Sequence, residues 1–253
     1  MRCSGCAMNR VLLHKDEVSA DAVALLRGRR ARHILEVLRA ETGKTIRIGI
    51  INGPKGTGDV VDATADRVTL SCRFESKTPA TPPISLLLAL PRPKVLKRLY
   101  PQLAAMSLEA VYLTNGAKVD RNYFDTHWLQ PDNYDPLLIE GLEQAGETLV
   151  PRIEVVKRLK PFIEDAVPSL FAEHTRLIAH PGKRTDWRGM EMSAGRKILL
   201  AVGPEGGWTD PELKMFDKAG FSQVSLGNRT LRTDTACVAL LAAIQCFLTP
   251  DVQ

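Results

Sequence analysis

The pattern of apolar and polar positions divides the chain into two regions with different secondary structure. Up to about residue 75, short β-rich runs are separated by turn residues such as Asn52-Gly53-Pro54 and Gly56-Thr57-Gly58. Such runs between Gly, Pro and Asn are typical of short strands. Only 20–40 has a helical pattern, so this region predicts a small β-barrel with one helical insertion. The predicted strands are RVLLH, KTIRIGIIN, GDVVDATA and RVTLSCRF.

From residue 84 onward, continuous apolar runs alternate with helical segments, which predicts a largely parallel α/β sheet. Ligands of such sheets bind at the carboxyl ends of the strands. The last helix, 233–248, is apolar nearly all round and is therefore expected to be buried. Residues 76–83 contain three prolines and predict a linker between two domains. The strands are predicted in ISLLLAL, EAVYLT, RLIAH, KILLAV and FSQVSLG, and the other helices in PKVLKRLYPQLAAM and YDPLLIEGLEQAG.

The segment ILLAVGPEGGWTDPELKMF (198–216) places three glycines between a buried strand and the start of a helix. Thr209 and Glu212 have the spacing of a capping box, so the helix is expected to begin there. Free N–H groups and the positive end of the helix dipole gather at such a point. Glycines at this corner allow a ligand to approach the main chain closely, and they also permit a turn with positive φ.

The composition is that of a globular protein, and the lengths of the apolar runs indicate its compartment. The 253 residues are 44% hydrophobic and 25% charged, enough for one large domain or two ordinary ones. Apolar runs all fall short of the ~20 residues that cross a bilayer, and the N-terminus lacks the apolar core of a secretion signal. The sequence therefore predicts a cytoplasmic protein. Residues 1–7 are expected to be a flexible leader, and the Cys3/Cys6 pair lacks a second pair at metal-site spacing, so no metal is expected.

Basic residues are grouped along the chain, whose net charge is +5. Each group alone is typical of a solvated face, but three groups favour a polyanionic partner, and RNA is the expected one. The third group surrounds Lys183, Arg184 and Arg188. The residues predicted to bind RNA in the first two groups are Arg27, Arg29, Arg30, Arg32, His33, Arg39, Arg92 and Lys94.

Three loops that each follow a predicted strand carry the candidate chemistry: 178–182, 202–207 and 225–236. In an open α/β sheet such loops lie along one edge and can surround one ligand. The glycines do not form G-x-G-x-x-G, and neither a P-loop, a G-x-S-x-G elbow nor an H-E-x-x-H motif occurs. These absences disfavour a dinucleotide-binding oxidoreductase, a P-loop ATPase, an α/β hydrolase and a zinc protease.

The motifs AVGPEGGWTDPE, AGFSQVSLGNRTLRTDTA and EQAGETLVPRI resemble the RsmE-type ribosomal RNA uridine-N3 methyltransferases of the SPOUT superfamily. MNRVLLH, ARHILEVLRAETGKTIRI and NGPKGTG resemble the PUA-like RNA-binding domain of that family. The resemblance implies a PUA-like domain over 8–75 and a SPOUT methyltransferase domain over 84–250. It also implies a deep C-terminal trefoil knot, which the general rules of chain crossing would not predict. The implied partners are S-adenosylmethionine (SAM), 16S ribosomal RNA or the small ribosomal subunit, and a second copy of the chain.

The resemblance also implies roles for individual residues. Arg232 is expected to stabilise negative charge on the uracil, and either Glu205 or Asp234 is expected to accept the N3 proton. Asp234 and Arg232 are also consistent with an ion pair that only holds the loop. Asp234 stands where the family more often has glutamate, and Glu147 and Leu149 stand where basic residues are common. The expected cofactor-binding residues are Ala179, His180, Pro181, Gly182, Gly203, Pro204, Glu205, Gly206, Gly207, Leu226, Gly227, Asn228, Leu231, Arg232, Thr235 and Ala236.

Two other functions remain open from the sequence. One is a non-catalytic RNA-binding factor of ribosome assembly that retains the fold, and the other is a methyltransferase for a different RNA uridine. Intact glycine loops favour an active methyltransferase over a non-catalytic factor. Binding of SAM would distinguish these two classes.

Overall fold

The computed structural model of the protein describes residues 10–182 and 196–248. The expected leader 1–7, the Cys3/Cys6 pair and the basic group at 183–188 lie outside the described residues. The chain divides into two compact units. Unit 1 comprises Met1–Thr81 and Leu138–Val150, and unit 2 comprises Pro82–Leu137 and Pro151–Gln253.

The assignment of Leu138–Val150 to unit 1 corrects the predicted domain 84–250. This segment is tied to the first strands by main-chain and side-chain hydrogen bonds. The Arg10 N–H donates to the Glu143 carbonyl at 2.8 Å, and Thr148 Oγ1 donates to the Gly53 carbonyl at 2.7 Å. These bonds join residues about 95 or more positions apart, which a sequence pattern read locally does not show.

Unit 1 is built around a five-stranded sheet with the strand order β1-β3-β4-β5-β2. All pairings are antiparallel except that of β1 with β3. The outer strands β1 and β2 are its edges, so among the described residues the sheet is an open half-barrel. The elements are β1 Val11–Leu13, a 3₁₀ turn Lys15–Glu17, β2 Val23–Arg27, α1 Gly28–Arg32 with a π-helical turn His33–Val37, β3 Thr45–Ile50, β4 Lys55–Ala63 and β5 Arg67–Phe74.

Two predictions for unit 1 are wrong in detail. Residues 23–27 were predicted within a helical segment, but they form β2, because Ala24 and Leu26 alternate inward while Leu25 faces outward. The predicted turn Gly56-Thr57-Gly58 lies inside β4. There, a Cβ at position 58 would touch the Ile48 side chain at 3.3 Å, so that glycine allows neighbouring strands to pack closely.

Unit 2 contains a six-stranded sheet in the order β11-β9-β10-β6-β7-β8, and every neighbouring pair is parallel. The predicted α/β class with a parallel sheet is therefore confirmed. Strand β8 and the helical turns after it were not predicted. The elements are β6 Ile84–Ala89, α2 Pro93–Ala105, β7 Ala110–Thr114, 3₁₀ turns Arg121–Asp125 and His127–Leu129, α3 Pro131–Ala145, which belongs to unit 1 from Leu138 onward, β8 Arg152–Val156, α4 Leu159–Pro161, a π-helical turn Phe162–Ala166, α5 Val167–Leu170, β9 Thr175–Ala179, β10 Ile198–Val202, α6 Asp210–Lys218, β11 Ser222–Val224 and α7 Thr233–Leu248.

The final helix α7 has the predicted bounds but not the predicted burial on all sides. Its buried residues include Cys237, Leu241 and Ile244, which follow one another at helical spacing. Phe247 is 37% exposed and Cys246 is also exposed, so one face of the helix is open in the single chain. Across the described residues, no helix is both long and apolar enough to span a membrane.

Candidate functional site

A cleft lies at the carboxyl ends of β9, β10 and β11. These strands are neighbours in the parallel sheet, with β9 between the other two. The three loops singled out in the sequence meet around it, because parallel strands end on the same edge. The cleft has an empty volume of about 650 Å³. Much of its lining consists of glycine, proline and apolar residues, the composition of a small-molecule site.

The glycine corner after β10 forms one wall of the cleft. Gly207 lines it with a φ of +68°, a conformation that side-chain-bearing residues rarely adopt. Gly203 also lines it, and a Cβ at that position would come within 3.1 Å of Trp208 Nε1. Gly206 does not line the cleft. A Cβ at that position would lie 2.8 Å from Lys118 Cδ. Two of the three glycines therefore give main chain to the cleft.

Glu212 joins the start of α6 to the loop after β7. Its Oε2 accepts from the Thr209 N–H at 2.7 Å, in the capping box that the sequence predicted. Its Oε1 accepts from the Ala117 N–H at 2.8 Å. The neighbouring Lys118 Nζ donates to the Gly206 carbonyl at 2.7 Å. The loop after β7 thus bonds to the glycine corner through Lys118 and to the start of α6 through Ala117.

Ser225 joins the first and third loops. Its Oγ accepts from the Gly227 N–H at 3.0 Å and lies 3.2 Å from the Gly182 carbonyl oxygen, which accepts from it. The His180 N–H donates to the Val224 carbonyl at 3.0 Å. Gly227 has a φ of +123°, which only glycine adopts readily. These bonds place the main chain of both loops on one side of the cleft.

Two buried side-chain nitrogens at the cleft have no hydrogen-bond partner among the described residues: His180 Nδ1 and Trp208 Nε1. Buried polar atoms are normally hydrogen-bonded, so each is suited to a bound ligand or to water. The Trp208 ring packs on Phe216 with 4.9 Å between ring centroids, which orients its N–H.

The structure brings together most, but not all, of the residues predicted to bind the cofactor. Those that line the cleft are Ala179, His180, Pro181, Gly203, Pro204, Glu205, Gly207, Leu226, Gly227, Leu231 and Ala236. Those that do not line it are Gly182, Gly206, Asn228, Arg232 and Thr235.

Further lining residues were missed by the sequence reading. Thr233 and Leu240 lie three residues before and four residues after the predicted Ala236, so helical spacing could have found them. Arg229 and Thr230 belong to the same loop as Arg232. Nothing in the local sequence indicates that these two residues line the cleft whereas Arg232 does not. The missed residues are Val202, Trp208, Val224, Ser225, Arg229, Thr230, Thr233 and Leu240.

The three predicted catalytic residues occupy different environments. Glu205 is exposed and lines the cleft, and its Oε1 accepts one long hydrogen bond, 3.4 Å, from the Arg92 N–H. Asp234 is bound at both oxygens: Oδ2 lies 2.7 Å from Arg98 Nη2, and Oδ1 accepts from the Thr235 N–H at 3.0 Å. Arg232 is exposed, and Asp234 forms its ion pair with Arg98 and not with Arg232.

The residues predicted to bind RNA, which lie in unit 1 except for Arg92 and Lys94, are mostly exposed, with one clear exception. Arg30 Nη1 donates to Glu17 Oε2 at 2.8 Å, and this bond lowers the pKa of the Glu17 carboxyl. Arg30 therefore has a structural partner, whereas its neighbours Arg29 and Arg32 are exposed. The exposed members of the predicted set are Arg27, Arg29, Arg32, Arg39, Arg92 and Lys94, and His33 is half-buried.

The buried cysteines are single thiols. Burial raises the pKa of both Cys72 and Cys237, so neither is activated as a thiolate. Among the residues that the structure describes, no cluster of His, Cys, Asp or Glu side chains is arranged to hold a metal ion.

The model of the RNA methyltransferase domain family matches residues 78–245. The chain is also 32% identical, over 240 residues, to the ribosomal RNA small subunit methyltransferase E of Treponema pallidum, covering 94% of this chain and 90% of that protein. This chain belongs to the ribosomal RNA small subunit methyltransferase E family. The RNA methyltransferase predicted from the loop motifs is thereby confirmed. A relative of the same name from Borreliella burgdorferi is 23% identical over 83% of this chain and 87% of its own length.

Members of this family also share the fold. A ribosomal RNA small subunit methyltransferase E from Neisseria gonorrhoeae, solved with S-adenosyl methionine bound, superimposes with a TM-score of 0.74 at 23% identity. That match covers 95% of this chain and 98% of the other. A methyltransferase structure from Legionella pneumophila with bound SAM gives a TM-score of 0.72 at 22% identity, covering 94% and 97% of the two chains.

Proposed function

We propose that this protein transfers the methyl group of SAM to N3 of a uridine in 16S ribosomal RNA and thereby contributes to ribosome maturation. One observation carries the proposal: the three loops after β9, β10 and β11 surround a common cleft. Relatives named for this activity match nearly the whole chain. The choice of uracil N3 as the target atom rests on the resemblance of the loop motifs.

The residues of the cleft fit SAM. Gly203 and Gly207 leave main chain accessible to an adenosine, and Leu231 and Leu240 offer apolar surface to an adenine ring. The unpartnered Trp208 Nε1–H is a donor within the cleft lining. SAM carries a carboxylate and ring nitrogens that accept hydrogen bonds, so each unpaired group has a suitable counterpart.

When bound, SAM supplies an electrophilic methyl group attached to a positively charged sulfur. Uracil N3 is a poor nucleophile until its proton leaves, so the protein must hold the base and favour its anion. Glu205 is our candidate to accept that proton, because it is exposed at the cleft and, among the described residues, accepts one long hydrogen bond from the Arg92 N–H. Arg232 is our candidate to stabilise the resulting negative charge, from the loop that carries the cleft residues Thr230 and Leu231.

We also propose a homodimer formed through unit 2, with the deep trefoil knot of the SPOUT superfamily near its C-terminus. Leu231 and Phe247 support a second copy, because both are large apolar side chains that are 37% exposed.

RNA is proposed to contact the exposed arginines of the first basic group in unit 1. We propose that the enzyme acts in the cytoplasm, because its proposed substrate is ribosomal RNA.

The proposal is tested by two measurements on the full chain. Calorimetry should show SAM binding, and nucleoside mass spectrometry of 16S ribosomal RNA should show one N3-methyluridine that depends on the gene. Absence of SAM binding would instead support a non-catalytic assembly factor. SAM binding with N3-methyluridine elsewhere in the RNA would support a methyltransferase for a different uridine.

A further inference from the structure

A second, larger concave surface lies in unit 2, at the carboxyl ends of β7 and β8. It has an empty volume of about 2170 Å³. Residues 115–117 follow β7 directly and 157–159 follow β8 directly, and the first turns of α6 complete it. We call this surface the basic basin. None of the residues that were assigned a catalytic or cofactor-binding role from the loop motifs lines the basic basin.

The basic basin is strongly cationic. Glu164 and Glu212 are its acidic residues, and both are engaged: Glu164 lies 4.0 Å from Lys160, and Glu212 holds the capping box and the Ala117 N–H. Apart from Lys160, its basic residues form no ion pair with another described residue. The six basic residues are all exposed: Arg121, Lys157, Arg158, Lys160, Lys214 and Lys218.

The floor of the basin differs from its rim. Half-buried Phe124, Val119 and Met215 provide apolar surface between the basic side chains. Asn115 uses its Oδ1 to accept from the Leu159 N–H at 2.8 Å, which leaves its amide nitrogen as a donor. A cationic rim around an aromatic side chain is the arrangement that binds unpaired RNA, whose backbone is anionic and whose bases stack.

The position of the basin relative to the cleft favours RNA over a free anion. All six strands of the sheet are parallel, so the cleft and the basin open on the same edge. Strand β7 is two positions from β10 and β8 is three, which is about 10–15 Å at the usual strand spacing. Lys118, which lies between the basin residues Ala117 and Val119, donates to the carbonyl of Gly206 in the glycine corner, so the loops that carry the two surfaces are bonded to each other. A strand of RNA can pass along this edge with one nucleotide at the cleft.

We infer that the basic basin binds the phosphate backbone of unpaired RNA next to the target nucleotide, with a base stacked on Phe124. This inference rests on the proposed function, because it assumes that the target base enters the cleft. It adds a contact surface in unit 2 that is independent of the arginines of unit 1. The basic basin is expected to affect the affinity for RNA and the register in which the RNA binds. It is not expected to contact the cofactor.

The test compares two variants that each lose one lysine and one adjacent arginine. The basin variant is Lys157→Gln with Arg158→Gln, at the carboxyl end of β8. The control is Arg196→Gln with Lys197→Gln, which precedes β10 at the opposite edge of the same sheet, where Lys197 pairs with Glu109 at 3.0 Å. Affinity for a transcript of 16S ribosomal RNA is measured over a range of salt concentrations, and affinity for SAM by calorimetry.

The basin variant is expected to bind the transcript about tenfold more weakly at moderate salt. Its plot of log Kd against log salt should be shallower by roughly 1 to 1.5, since each lost contact to a single strand removes about 0.7. The control should remain within twofold of the wild type in affinity and keep its slope. SAM affinity should be unchanged in both variants.

Two results would overturn the inference: a basin variant with wild-type RNA affinity and slope, or equal losses in the two variants. Phe124→Leu tests the stacked base, and it should weaken RNA binding at least fivefold without changing the slope. Unchanged affinity in that variant would overturn the role given to Phe124. A failed proposed function is recognised separately, because then the wild type itself binds no SAM or methylates no uridine.

Discussion

Arg98 on α2 and Asp234 in the first turn of α7 form an ion pair, with 2.7 Å between Arg98 Nη2 and Asp234 Oδ2. The other carboxylate oxygen accepts from the Thr235 N–H. A carboxylate that already accepts at both oxygens is a less suitable proton acceptor than one with a free oxygen. The geometry therefore favours a structural role for Asp234, in which it connects two helices and lies at the positive end of the α7 dipole.

We predict that Asp234→Asn keeps methyl transfer within a few fold of the wild type. Its free energy of unfolding should fall by about 1 kcal/mol or less, because the Arg98 side chain is 57% exposed and such pairs contribute little. Turnover at saturating substrates and urea unfolding measure the two effects. A loss of turnover of about 100-fold with normal SAM affinity would restore Asp234 as the proton acceptor.

The two adjacent glycines of the corner should respond differently to substitution. Gly207→Val should abolish SAM binding, because the residue lines the cleft and its φ of +68° is strained for a β-branched side chain. Gly206→Val should weaken binding much less, because its side chain would meet the flexible end of Lys118. Calorimetry with SAM measures both, and equal losses would contradict this distinction.

The sequence predicted the site at the level of loops better than at the level of side chains. Three strand-to-loop junctions were visible as apolar runs followed by glycine or polar residues, and parallel strands bring such junctions to one edge. Which glycine faces the cleft depends on whether Lys118, nearly 90 residues away, lies behind it. Contacts of that sequence separation leave no periodic signal.

The same limit explains the errors in the fold. The helix-like composition of 20–40 concealed β2, whose conformation depends on pairing with β5 about 45 residues later. The membership of Leu138–Val150 in unit 1 depends on bonds to residues near 10 and 53. Where burial follows from the local pattern alone, as in β6 and β10, the prediction was confirmed.

Arg232 and Arg229 provide a matched pair within one loop. Arg232→Ala should leave SAM affinity within a few fold and cut turnover by roughly 100-fold, the scale for losing one donor to a developing anion. Higher pH should partly rescue this variant, because hydroxide then supplies the uracil anion. Arg229 lines the cleft, so Arg229→Ala should instead weaken SAM binding. If Arg232→Ala loses SAM binding and turnover together, Arg232 only shapes the loop.

Trp208 should act as a hydrogen-bond donor to the cofactor. Trp208→Phe keeps an aromatic ring against Phe216 but removes the unpartnered Nε1–H. The loss of one such bond weakens binding by about 0.5–1.5 kcal/mol, so SAM affinity should fall by roughly 2- to 13-fold. Thermal unfolding without ligand serves as the stability control, because the smaller Phe ring leaves space around the buried position 208. Unchanged SAM affinity in this variant would show that the N–H does not contact the cofactor.

Glu143 should make the stability of unit 1 depend on pH. Burial raises the pKa of this carboxyl above 4.5, although its Oε1 accepts from the Leu12 N–H at 3.2 Å. A carboxyl whose pKa is raised by folding contributes stability that is present below pH 4.5 and is lost as the pH rises through the folded-state pKa.

Glu143→Gln keeps the acceptor and removes the buried charge, so unit 1 should be more stable than the wild type at pH 7. This difference should shrink towards zero as the pH falls below 4.5. Amide hydrogen exchange in Val11–Leu13 measures it, because unit 1 has no tryptophan or tyrosine while unit 2 has both. Tryptophan fluorescence then serves as the control, since it should report the same unfolding of unit 2 in both proteins. Faster exchange in the variant at pH 7 would mean that the Glu143 carboxylate is needed by the nearby basic residues of unit 1.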